Sequence, residues 1–341
     1  MDTGERAARI EAAALSNIAF KKGALPKPKF FPDEALDKEV RALLSDRPHR
    51  GVDDWFHPHT FGRWCRRREI LRVLAQGLDL ELTRTRPAPT LGLIFEAGHA
   101  THRHYRNVLI PHKLRGCWKC GACGEPHGYH IHTQENGWTD LIVDNLITRP
   151  EACQQCGFTE KRSFRQGYEV YMEFIEPPIV IEGYKIKGHT DGILLHLGKE
   201  LIGEFKSEDP MLWTERRGPN PGHTFQGACY AWGMKETYGL DIPLTAAVYI
   251  NKSTYRPKTY IFRNDDKIDW IKQEIDAVNA IASAFTSKVS SETDLRAIEM
   301  DPELNARAIK PCAHAGLSQA KGCPLREICF DLKSRKKKGT K

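Results

Sequence analysis

Cysteine placement constrains this chain more than any other feature. Ten cysteines occur in 341 residues, and nine of them fall into two sets. One set is compact, with Cys117, Cys120, Cys123, Cys153 and Cys156. The other is split, with Cys65 far upstream and Cys312, Cys323 and Cys329 near the C-terminus. The first twenty residues have no uninterrupted apolar run and carry acids early, so they do not read as a signal peptide. No stretch approaches the length of a membrane span. The expected location is the cytoplasm, where thiols stay reduced. Metal ligation is then expected rather than disulfide bonding.

The compact set contains two C-x-x-C knuckles about thirty residues apart, the spacing of a zinc ribbon. Five cysteines compete for four places. Cys120-Gly-Ala-Cys123 and Cys153-Gln-Gln-Cys156 are each followed by Gly, as a tight turn requires. Cys117-Trp-Lys-Cys120 is followed by Gly as well and also fits; Cys120, Cys123, Cys153 and Cys156 are the favoured zinc ligands, with Cys117 a spare. His127, His130 and His132 are close in sequence but not needed. In the split set, Cys65 is the natural fourth partner of Cys312, Cys323 and Cys329. Four thiolates could hold a [4Fe–4S] cluster or a zinc ion, or could be buried free cysteines. Cys229 reads as a packed small residue.

The remaining pattern is that of an α/β domain. Residues 1–60 read as helix and then Pro-punctuated loop. Residues 61–80 and 91–109 have the helical period, 168–206 is strand-rich, and 223–238 is helical. Two strands follow over 244–263, and a helix over 266–288. The Cys-, Gly- and His-rich stretch 115–160 interrupts this order as an inserted small metal module. An apolar content of 40% permits a sizeable core. The net charge of +7 is mild, but the basic residues cluster. Arg63, Arg66, Arg67 and Arg68 crowd one segment, and 331–341 is a basic tail. Each cluster is either a solvated face or a contact for a polyanion.

The stretch 188–207, GHTDGILLHLGKELIGEFKS, carries the chemistry. Strand side chains alternate faces, so Glu204 and Lys206 point one way and Phe205 the other. A hairpin closing at Gly198 folds Asp191 back beside Glu204. Two carboxylates and an ammonium then meet on one sheet face. Carboxylates bind Mg²⁺ or Mn²⁺ through oxygen, and a lysine beside them stabilises charge on phosphoryl oxygens. The bland alternative is a hairpin with a surface salt bridge. His102 falls on the apolar face of the 91–109 helix, where it is either a satisfied core residue or a metal ligand. Gln226 and Tyr230, four apart, share a helix face.

His102 in GHATH, Asp191 in GHTDGIL, Glu204-Phe205-Lys206 and Gln226-GAC-Tyr230, in this order, resemble the RecB-type nucleases of the PD-(D/E)xK superfamily. That group includes recombination exonucleases, the CRISPR adaptation exonuclease and phage exonucleases. The family's Pro before the first Asp is replaced here by Thr190. The resemblance spans about residues 61–330 and implies a restriction-endonuclease-like mixed sheet flanked by helices, with 115–160 as a zinc-ribbon insertion. It implies a metal-dependent DNA exonuclease acting in recombination, repair or replication, with a phage origin suggested and hence a host cytoplasm. His102, Asp191, Glu204 and the Phe205 carbonyl would bind metal, Lys206 would assist the nucleophile, and Gln226 and Tyr230 would position DNA or the site. In several such nucleases one cysteine before the core and three after it hold a [4Fe–4S] cluster that staples the domain ends. This chain shares that order, but ten residues separate Cys312 from Cys323, longer than usual. The arginines at 63, 66, 67 and 68 would contact phosphates of a single strand or a duplex end. Partners would include DNA and a helicase or single-strand annealing or binding protein, since the chain lacks GxxxxGK[ST]. Two other readings stand beside this one: a non-catalytic metal-bearing DNA-binding protein, and a nuclease subunit of a larger recombination complex.

Overall fold

The computed structural model describes residues 55–62, 64–80, 89–133, 139–159 and 172–297, together with Cys323, Leu325 and Cys329. Most of the expected N-terminal region, Arg63, Cys312 and the basic tail lie outside the described residues.

Pro58–Phe61 forms a single helical turn, α1, and Arg66–Gly77 forms α2. The helical period predicts one element over 61–80, but the chain breaks it before Arg66, where Cys65 is extended (φ -136°, ψ 99°). The break lets the rings of Phe61 and Trp64 stack, with centroids 5.1 Å apart. It also aims the Trp64 indole N–H at Glu274 Oε2, at 2.8 Å. Helix α2 buries Ile70, Leu71 and Leu74, one stripe of a 3.6-residue period. Pro89–His104 forms α3 and runs into a π-helical segment, Tyr105–Leu109.

Ten strands follow. They are β1 (Leu114–Cys120), β2 (Pro126–His127), β3 (Tyr129–Thr133), β4 (Thr139–Val143), β5 (Ile147–Thr148), β6 (Met172–Ile175), β7 (Pro178–Ile181), β8 (Ile186–His189), β9 (Ile193–His196) and β10 (Lys199–Glu208). Helices α4 (Pro210–Glu215) and α5 (Pro221–Tyr238) lead to β11 (Leu244–Asn251) and β12 (Pro257–Arg263). Helices α6 (Asp265–Thr286) and α7 (Glu292–Ala297) close the described chain.

The main sheet runs β12-β11-β10-β9-β1-β2, with β5 and β6 also paired to β1. Its pairs are antiparallel except β10 with β11, which are parallel and in register from Ile202↔Thr245 to Glu208↔Asn251. A parallel pair needs a crossover, and α5 supplies it. Strand β11 is buried on both faces from Thr245 to Asn251, which explains its continuous apolar run. One face of the sheet packs on α5, where Ile193 and Ile202 meet Tyr230, Ala231 and Met234. On the other, Phe205 and Val248 meet Tyr105 of the π segment. Helices α2, α5 and α6 share a third cluster around Ile70, Leu71, Trp232, Ile271 and Ile275. The protein is thus α/β, with a mixed sheet flanked by helices, as the order of elements in the sequence implies. Among the described residues no helix is long and apolar enough to cross a membrane.

Candidate acidic site and cysteine centres

The acidic site is built by one hairpin. Leu197 (φ 49°) and Gly198 (φ 74°) turn left-handed together, the backbone of a two-residue turn whose twist suits antiparallel strands. The ladder then pairs His196 with Lys199 and Ile193 with Ile202. Beyond it, the Gly203 N–H donates to Gly192 O at 2.8 Å. This register carries Asp191 alongside β10, where Asp191 Oδ2 accepts the Phe205 N–H at 2.8 Å. Glu204 and Lys206 share a face and form an ion pair. The Phe205 ring enters the opposite layer. Asp191, Glu204 and Lys206 are therefore brought together as the strand parity requires.

The charges here are buried and almost fully matched. Burial pushes the Glu204 carboxyl up to about 8, against the pull of Lys206. Burial would also raise Asp191, but Arg106, Lys206 and the Phe205 N–H hold it below the usual carboxylate range. Lys206 would fall on burial, but Glu204 and Asp191 keep it above its ordinary value. Arg106, which sequence reasoning did not single out, bridges Asp191 Oδ1 at 3.1 Å and Glu176 Oε1 at 2.5 Å. Arg106 lies in the π-helical segment, a distortion frequent at functional sites. Glu176 is a third carboxylate at the rim, with 37% of its side chain exposed. Neither residue belongs to a spaced motif, so no local signal marks them.

His102 reaches the same strand. Its Nε2 accepts the Ser207 N–H at 3.1 Å, and burial pushes its pKa down to about 4, so the ring is neutral. Gln226 Nε2 donates to the Tyr230 hydroxyl at 2.8 Å. Burial first, then the Glu204 and Asp191 charges, raise the Tyr230 phenol well above its ordinary value. Both α5 residues thus belong to the surroundings of the acids.

The donor set suits a hard divalent ion in part. Both Glu204 oxygens are buried without a well-formed hydrogen bond, although the Lys206 ammonium touches one of them. A buried, orphaned carboxylate is a group that calls for a cation. Against this, the His102 Nε2 lone pair is engaged by Ser207, and Arg106 holds Asp191. The His102, Asp191 and Glu204 set is also more open than the cysteine group described next.

Cys120, Cys123, Cys153 and Cys156 bring their sulfur atoms within 4.8 Å of one another, and they are the group of this kind among the described residues. Cys120 Sγ and Cys156 Sγ are 3.8 Å apart, and Cys123 Sγ and Cys153 Sγ 3.6 Å. Four thiolates about 2.3 Å from one zinc ion stand roughly 3.8 Å apart at the corners of a tetrahedron. The two knuckles match in backbone. Gly124 N donates to Cys120 O at 2.8 Å, and Gly157 N to Cys153 O at 2.9 Å. Gly124 (φ 83°) and Gly157 (φ 67°) are both left-handed, as the sequence requires of a residue closing each turn. Burial pushes the Cys153 thiol up, but N–H groups led by that of Cys156 bring it down to about 6. Cys117 is fully buried, packs in the core with Ile179 and Ile193, and is not in the group. Cys229 is likewise a fully buried packing residue.

Of the split set, Cys65, Cys323 and Cys329 converge. Cys323 and Cys329 pack against the cluster that includes α2. Burial raises both Cys65 and Cys323, the latter to about 11; Cys65 feels Cys329, Cys323 feels Cys329 and Cys65, and both feel Arg68. These three sulfurs are more widely spaced than the four-cysteine group. Cys312 lies outside the described residues. The described arginines of the segment make contacts within the protein. Arg66 Nε donates to Glu274 Oε2 at 2.8 Å, Arg67 Nε to Cys329 Sγ at 3.3 Å, and Arg68 pairs with Glu69. Arg66 and Arg68 thereby partner the buried acids Glu274 and Glu69.

No protein-family model matches the chain, and no curated protein does. Among solved structures the chain is similar to one titled "Crystal structure of SSO0001", at 13% identity and a TM-score of 0.32, covering 86% of this chain and 93% of that one. A superposition that loose carries no argument about fold or activity.

Proposed function

We propose that the chain is a metal-dependent DNA exonuclease of the PD-(D/E)xK type, hydrolysing phosphodiester bonds at the Asp191, Glu204 and Lys206 site. One observation carries this reading. On the central β10 of a mixed sheet, a fully buried glutamate is ion-paired with a lysine two residues on and lies near an aspartate delivered by the preceding hairpin. A fold gains little stability from burying such a pair, and strongly perturbed ionisable groups gather at functional sites. The resemblance of the four motifs, from His102 to Tyr230, supports the same reading.

Asp191, Glu204 and the Phe205 carbonyl would hold one or two Mg²⁺ or Mn²⁺ ions, which when bound polarise the phosphate and lower the pKa of a bound water. Lys206 keeps its charge among the acids and is placed to stabilise negative charge on a phosphoryl oxygen or to orient the attacking water. Arg106 keeps Asp191 ionised and, through Glu176, fixed in direction. The Tyr230 hydroxyl, oriented by Gln226, stays protonated and able to donate. His102 would join the ligands only by exchanging its Ser207 bond for a metal. The four-cysteine centre is proposed as a structural zinc site. The Cys65, Cys323 and Cys329 set, completed by Cys312, is proposed as an iron–sulfur site, because thiolates on separate irons stand farther apart than thiolates on one zinc.

The test is degradation of end-labelled linear DNA by the purified chain with added Mg²⁺. The expected result is loss of labelled substrate with Mg²⁺ and none without it. Lys206→Ala is expected to slow degradation about a hundred- to a thousand-fold. Undiminished cutting by Lys206→Ala would remove this mechanism.

A further inference from the structure

The turn of residues Lys252 to Arg256 closes the antiparallel β11–β12 hairpin and presents an aromatic side chain to solvent. Tyr255 sits in the left-handed region at φ 56°. A bulky aromatic residue rarely adopts that conformation, and strain of this kind gathers where a side chain is held for use. The turn is tightly braced. Asn251 Oδ1 accepts the Ser253 N–H at 2.9 Å and the Thr254 N–H at 3.1 Å. Tyr255 N donates to Asn251 O at 2.8 Å, and Asn251 N to Arg256 O at 3.0 Å. Despite the bracing, the Tyr255 ring stays 39% exposed. Its described ring neighbour is His104, edge-on at 5.2 Å and 61°.

The ring is linked to the strand that carries the acids through α3 and through its own turn. His104 is two residues from His102, whose imidazole accepts from Ser207, the residue after Lys206. Lys252 N donates to Glu208 O at 3.0 Å, anchoring the turn to the end of β10. The charges around the ring suit an anion. Lys252 and Arg256 flank Tyr255 within the turn, and exposed Arg103 precedes His104. Glu208, the acid at the end of β10, is neutralised by Arg216, whose Nε donates to Oε2 at 2.7 Å.

We propose that this turn is a base-stacking platform for single-stranded DNA, with Tyr255 taking the face of one base and Lys252 and Arg256 its flanking phosphates. An aromatic face framed by cations is the sequence-tolerant chemistry by which single strands are held. In a duplex the base faces are stacked on one another and closed to a ring held at a fixed angle, so the platform selects unpaired strand. The inference rests on the nuclease reading and deepens it, because it names the state of the strand next to the site.

The experiment measures fluorescence anisotropy of the full-length protein, without added divalent ion, on a labelled single strand of about 12 nucleotides and on a blunt duplex. Tyr255→Ala is expected to weaken single-strand binding by about ten-fold or more, since stacking on an aromatic ring contributes strongly per base. Tyr255→Phe should stay within two-fold of the parent. Tyr255→Gly should bind as weakly as Tyr255→Ala while melting at or above the parent temperature, because glycine accepts the left-handed backbone. Duplex binding should change less than two-fold in all three. Parental single-strand affinity in both Tyr255→Ala and Tyr255→Gly, or equal losses on duplex and single strand, would overturn the platform. The nuclease reading fails separately. A parent that binds through Tyr255 but never cuts with Mg²⁺ keeps the platform and loses the enzyme, and a parent that cuts with no Tyr255 effect does the reverse.

Discussion

The four-cysteine centre and the acidic site gather ligands in opposite ways. At Cys120, Cys123, Cys153 and Cys156 the sulfurs already stand at the spacing of one tetrahedral ion, and two matched backbone turns hold them there. Two of the four, Cys123 and Cys156, are exposed. At Asp191 and Glu204 the carboxylates are buried, and the protein's own Arg106 and Lys206 lie against them. Soft ligands are placed here by main-chain geometry, and hard ligands by balanced charge. The first arrangement is local and readable as a motif. The second depends on residues brought from α3, the π-helical segment, β10 and α5 and from the loops that carry Glu176 and Asp191.

The largest expected effect tests the charged region. Asp191→Ala should lower Mg²⁺-dependent DNA degradation by about a thousand-fold or more, since it removes a carboxylate that would bind metal and the acceptor for the Phe205 N–H. Gel assays of end-labelled DNA check this, and single-strand binding by the same variant should persist. The next tests the cysteine region. Cys153→Ser should drop the zinc content from one equivalent to below one half and open 114–159 to trypsin, because a small metal module has little core of its own. Zinc retained at one equivalent in Cys153→Ser would remove the assignment.

A third prediction separates chemistry from architecture at the acidic site. Replacing the buried pair together, as Glu204→Met with Lys206→Met, should abolish cleavage yet leave stability unchanged or raised by about 1–4 kcal/mol. Chemical denaturation of the double variant measures it. A loss of several kcal/mol would make the pair structural. The smallest effect concerns the spare thiol. Cys117→Ala should leave the zinc content at one equivalent and lower stability by about 1 kcal/mol, since the group is a packing residue.

Much of this was legible from the sequence where signals are short-range. The Gly198 hairpin, the parity of Glu204 and Lys206, and the glycine after each knuckle follow from turn and strand geometry alone. So does the helix carrying Gln226 and Tyr230, whereas the Cys117–Cys120 knuckle fits the same turn rule and only the packing of Cys117 in the core sets it apart. What the sequence hid was long-range pairing. Arg66 meets Glu274 across 208 residues, and no local pattern announces it. Arg106 escaped notice because it belongs to no spaced motif and its partner Asp191 lies 85 residues further on. Charge along a sequence likewise did not announce that Arg66 and Arg68 meet the buried acids Glu274 and Glu69.

Strand β1 has a consequence for how the two regions communicate. Its first residues, Leu114 and Arg115, pair with Leu194 and Ile193 beside the acid loop, and its last, Cys120, is a member of the sulfur group. A single hydrogen-bonded rod of seven residues therefore spans from one centre to the other. Amide exchange along 114–120 is the natural gauge of that linkage. Stripping the ion from the sulfurs should speed exchange at Cys120 and Lys119 first, with protection surviving longest at Leu114, where the rod is clamped in the main sheet.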